Sequence, residues 1–174
     1  MGEPKQMRCS HVGIVGLIGA GWLVVGLFGN SWLAQAQDQS AAKVEDVIMA
    51  RKTAMDTLSD HMDQIEQMIS TNKINLDAAH EHADTISVLL MTFPHLFPSA
   101  SNQWKPGVDI DPVTGTYASP DVWTKFADFY KRAGDASKAA YDMSRAEKAD
   151  DLKSKTAVLR TACNACHAAY LKMQ

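Results

Sequence analysis

Near the C-terminus the chain carries two cysteines and a histidine in the order Cys163-Asn164-Ala165-Cys166-His167. This C-x-x-C-H spacing is the attachment pattern of a c-type haem. Two thiols add across the two vinyl groups of the macrocycle to form thioethers, and the histidine that follows presents an imidazole nitrogen to the iron. On a helix of about 3.6 residues per turn, side chains three and four apart fall within one arc, so a single face can hold both the porphyrin edge and the iron ligand. Other chemistries fit less well. A thioredoxin-like pair opens a helix after a strand, where the dipole lowers the thiol pKa, whereas this pair sits near the end of the last helical stretch. A structural zinc site needs a second ligand pair. A disulfide between neighbours so close would enclose almost no loop. No nucleophile with a base, and no other enzyme constellation, accompanies the motif.

The elements that must position these residues are helical throughout. Val44, Ile48, Met55, Leu58, Met62, Ile65 and Ile69 recur at intervals of three and four, with Arg51 in the same stripe, which predicts one long amphipathic helix from about Ala41 to Ser70. Asn75 is a suitable N-cap for a second helix whose face carries Leu76, Ala79, Ala83, Ile86, Leu90 and Phe93, ended by Pro94 and Pro98. A long polar connection runs from Pro98 to Ser119, and its length inside a compact domain points to a role over a cofactor edge. Ser119-Pro120-Asp121 combines a cap, a proline suited to the first turn and an acid facing the positive end of the dipole. The third helix then carries Val122, Phe126, Phe129, Ala133, Ala136, Ala140 and Met143. After a break between Ser144 and Asp151 comes a last stripe of Leu152, Thr156, Leu159, Cys163, Cys166 and Tyr170. The expected fold is all-α, an antiparallel up-down-up-down four-helix bundle with one covalently bound haem.

The N-terminal part reads differently. Lys5 and Arg8 precede a stretch from Cys9 to Gly29 free of Asp, Glu, Lys and Arg, and Ala34-Gln35-Ala36 supplies a small-x-small cleavage site. Residues 1–36 are therefore expected to be a cleaved signal peptide and 37–174 the working domain, located in the periplasm. An uncleaved membrane anchor is the rival reading, since about 20 apolar residues can span a bilayer. Cleavage would leave Cys163 and Cys166 as the only cysteines. The 15 basic and 19 acidic residues from Gln37 onward give a formal charge of −4, which argues against a nucleic-acid partner.

With these residues in view, the chain resembles the class II c-type cytochromes, the cytochrome c prime family, and is most similar to its low-spin members. The landmarks are Arg51 with Met55, Leu96-Phe97-Pro98, Ser119-Pro120-Asp121-Val122-Trp123, and Cys163 to His167 with Tyr170. One departure is Leu171, four residues after the haem histidine, where the family usually carries Arg or Lys. The resemblance implies that Met55 stands opposite His167 as the sixth iron ligand, with haem c as the one cofactor. A Met thioether is also a common gap-filler in cores. Arg51 is a natural partner for the haem propionates, and Trp123 and Phe126 are expected around the porphyrin or in the bundle core. His61, His80, His82 and His95 show no metal-site spacing in the sequence and are left in surface or turn roles. The expected function is electron carriage with a redox partner protein. The alternatives are a five-coordinate gas-binding protein and a structural role for the haem. A homodimer is compatible with either functional reading.

Overall fold

The computed structural model describes residues 43–111 and 114–172; the expected signal peptide and its cleavage site lie outside them. Among the described residues five α-helices follow one another: α1 (Val44–Ser70), α2 (Leu76–Thr92), the single-turn α3 (Asp121–Thr124), α4 (Phe126–Met143) and α5 (Ala149–Tyr170). The four long ones make the expected bundle. Short 3-10 turns at Phe93–Leu96 and Ser99–Ser101 form the corner after α2.

The helix ends follow from local chemistry. Asn72, at φ 54°, closes α1 in the left-handed region, with Lys73 N–H donating to Met68 O (3.0 Å) and Asn72 N–H to Ile69 O (3.1 Å). This is the Schellman arrangement, which satisfies carbonyls the helix leaves open. Asn75 Oδ1 accepts from Ala78 N–H at 3.2 Å, capping α2 as its residue type predicts.

The third helix departs from expectation. Rather than running unbroken from Ser119, it turns once and breaks at Lys125 (φ −120°, ψ 37°) before α4 begins. Ser119 Oγ still accepts from Asp121 N–H at 3.2 Å. The short turn buries Val122, and Trp123 Nε1 donates to Pro98 O at 3.2 Å. The break resets the register, so Phe129 turns inward and Phe126 outward.

Most of the bundle interior is aliphatic, built from Leu58, Ile65, Ala83, Ile86, Ala140, Leu152, Leu159 and their neighbours. A second cluster at one end is aromatic, with Phe93, Phe97, Phe129 and Tyr170 around Val122. α2 packs closely on α1 and α4, and α4 on α5, whereas α1 and α5 approach each other at few points. The space left between these two helices is where the site lies.

Candidate haem site

Two hollows sharing walls occupy that space. The larger, about 310 Å³, is lined by Arg51 and Met55 of α1, Phe93 and Phe97 of the corner, Val122, Phe129, and by Cys166, His167, Tyr170 and Leu171 at the end of α5. The smaller, about 70 Å³, adds Leu58, Met62, Leu90, Arg132, Arg160 and Cys163. Met55, Phe93, Phe129, Cys166 and His167 face both. The two thiols are half-buried and not joined to each other. Burial raises both of their pKa values, while burial and the nearby Arg160 lower that of His167. Burial thus favours the uncharged thiols and the neutral imidazole, the form of His167 that can ligate a metal.

Arg51 is 3% exposed, so it does not reach out to solvent as a snorkelling side chain would. Nη1 donates to Ser101 Oγ (2.9 Å) and Leu96 O (3.3 Å), and Nη2 to Ser101 O (3.2 Å). The guanidinium lies 4.6 Å from the Phe97 ring centre and 5.6 Å from that of Trp123. Burial lowers its pKa to about 10, which leaves it fully charged at neutral pH. One donor, Nε, is buried without a partner. A buried donor on a cation is costly to leave unpaired, and an anionic group entering the hollow would satisfy it.

The long connection returns to the site. Thr116, Tyr117 and Ala118 form part of the larger wall. Ser119 N–H donates to Tyr170 O and Lys172 N–H to Tyr117 O, both at 2.8 Å, stitching the connection to the chain end beside His167. Within the connection Gly115 permits a tight turn, because a Cβ there would lie 2.5 Å from Asp111 O. Tyr170 is pinned from behind by its hydroxyl, which donates to Asp128 at 2.5 Å; Asp128 in turn accepts from Arg132 Nε at 2.7 Å.

The structure thus brings Cys163, Cys166, His167, Met55 and Arg51 to one space. Trp123 and Phe126 lie outside both hollows. Trp123 packs on Phe97 and Arg51 from behind, and Phe126 is 39% exposed against Phe129 and Tyr130. The break at Lys125 accounts for this, since it makes Phe129 the inward aromatic. Phe93, Phe97 and Phe129 are wall residues to which sequence reading assigned no site role, Phe93 and Phe129 standing in helix stripes and Phe97 in the Leu96-Phe97-Pro98 landmark. The crowding of Phe93 and Phe97 beside Pro94 and Pro98 was the available signal. Apolar walls, two thiols beside an imidazole and a buried guanidinium with a spare donor together fit a covalently attached haem.

A family model described as Cytochrome C' matches residues 46–171. No curated protein matches the sequence. Among solved structures, cytochrome c' from Thermochromatium tepidum is 21% identical, with 75% of this chain and 98% of that one covered at a TM-score of 0.67. A nitric oxide complex of a variant cytochrome c prime from Alcaligenes xylosoxidans is 19% identical, with 76% and 98% covered at 0.63. A cytochrome c' described by its ligand-controlled dimer dissociation is 17% identical, with 77% and 100% covered at 0.65. With the match spanning nearly all the described residues, and with the thiols, imidazole and hollow placed as they are, this chain belongs to the cytochrome c' family and carries one covalent haem c.

Proposed function

We propose that the protein is a periplasmic electron carrier in which His167 and Met55 are the two axial iron ligands, Cys163 and Cys166 the thioether anchors, and Arg51 the partner of a haem carboxylate. The observation that carries this reading is the position of Met55. From the middle of α1 it lines both hollows together with His167 of α5, so a thioether and an imidazole are offered to the same space from two helices. Met/His ligation raises the reduction potential and keeps iron six-coordinate, which suits electron transfer. The haem supplies the ferric–ferrous couple when bound. The chain's own residues hold it, exclude water with Phe93, Phe97 and Phe129, and place a fixed cation beside it in Arg51.

The test is Met55→Ala. Loss of a soft ligand that favours ferrous iron should lower the reduction potential and speed carbon monoxide binding to the reduced protein at least tenfold. An unchanged rate and potential would make Met55 a wall residue only.

A second reading, gas binding at an open sixth position, is favoured by the nitric oxide complex of the Alcaligenes xylosoxidans relative and by the apolar surroundings of Met55. Under it the unaltered protein itself takes up carbon monoxide rapidly. The dimer described for another relative makes self-association reasonable for this chain.

A further inference from the structure

His61 of α1 and His82 of α2 are 21 residues apart in sequence, yet their Nδ1 atoms stand 2.7 Å from each other across the helix pair. The rings are tilted by 58° with centres 5.0 Å apart, and both side chains are half-buried. Two Nδ1 atoms can approach this closely only if one carries the proton and the other accepts it, or if a cation takes the proton's place. Burial and the neighbouring His61 both lower the pKa of His82, opposed by Glu81.

We infer that His61 and His82 form a binding site for a divalent first-row cation of the borderline class, Zn²⁺ or Cu²⁺, which staples α1 to α2. Two imidazole nitrogens at about 2.05 Å from a tetrahedral Zn²⁺ are about 3.3 Å apart, so small side-chain rotations separate the pair enough to admit the ion. Imidazole is the ligand type these cations prefer. Binding moves the bridging proton, which leaves Nδ1 for solvent while the same ring gains one at Nε2, so net protonation is unchanged. Among the described residues no third His, Cys, Asp or Glu completes a ligand group. The remaining positions are thus open to water, and the affinity should be moderate. The neighbouring His80 takes no part, because its Nε2 lies 2.8 Å from Ala146 O. The proposal is independent of the haem reading, since neither histidine lines the haem hollows.

The experiment titrates the haem-loaded protein with Zn²⁺ alone, and separately with Cu²⁺, by calorimetry and thermal melting. One equivalent should bind with micromolar affinity and raise Tm with cation concentration, because an ion that binds only the folded state stabilises it by mass action. The haem absorption spectrum should not change. H61Q and H82Q should each weaken binding at least tenfold and abolish the Tm rise, while H80Q should leave both intact. Circular dichroism confirms that each variant is folded at the titration temperature. Absence of saturable binding would show a hydrogen bond only and overturn the site. So would binding that survives both H61Q and H82Q, or that is lost in H80Q instead.

Discussion

The two ends of the bundle are built by different rules. In the aliphatic part, small and branched side chains fill the interior, with Ala79, Ala83 and Ala140 fully buried so that α2 and α4 pack closely. In the aromatic part, Phe93, Phe97, Phe129 and Tyr170 meet mainly edge-on and surround a hollow instead of filling it. Edge-to-face rings keep rigid walls around open space. A buried cation with an unpaired donor is tolerable there only if the hollow receives an anion. One end therefore folds by burying its own side chains, whereas the other is completed by the haem.

The largest expected effect follows from removing both anchors. The double replacement of Cys163 and Cys166 by Ala should abolish haem retention after acid–acetone extraction, because a coordinative His167 bond does not survive it. It should also loosen the aromatic end. Pigment that stays with the extracted protein would contradict covalent attachment through these two residues. Next in size, Ile65→Ala in the aliphatic part should cost about 3 kcal/mol in denaturant unfolding and leave the haem spectrum as it was. A spectral change in that variant would show that the two ends are not independent. Smaller still, Arg51→Leu should lower the reduction potential, because the lost positive charge favours the reduced state. An unaltered potential would mean that Arg51 only ties α1 to the corner at Leu96 and Ser101. The smallest effect concerns pH. The folded-state pKa of His82 is lowered, so the unfolded chain binds the proton more readily and His82 favours folding above the ordinary histidine pKa of about 6.5. That contribution fades as pH falls through and below this value. H82Q should flatten the corresponding loss of stability in melts between pH 8 and pH 5.

Much of this was legible in the sequence for physical reasons. Apolar residues at intervals of three and four located the long helices, and Asn75 marked the start of α2 because its side chain replaces a missing backbone acceptor. The attachment pattern placed the haem thiols on α5 because its chemistry demands a fixed spacing. Arg51 stood out as a cation in an apolar stripe. The break at Lys125 was hidden because Ser119 to Asp121 is an equally good start for a one-turn or a seven-turn helix. Only the docking of Trp123 on Pro98 and Phe97 decides between them, and with that went the choice of Phe129 over Phe126. The His61–His82 contact was also invisible, since it depends on how α1 and α2 align in space.

In the proposed function Met55 and His167 hold the iron together. The most direct test is the spin state of the oxidised, unaltered protein at neutral pH, read by visible absorption and electron paramagnetic resonance. Two strong axial ligands predict predominantly low-spin iron, converting to high-spin in Met55→Ala. A wild-type protein that is already high-spin would contradict the claim and leave Met55 as part of the wall of a gas-binding site.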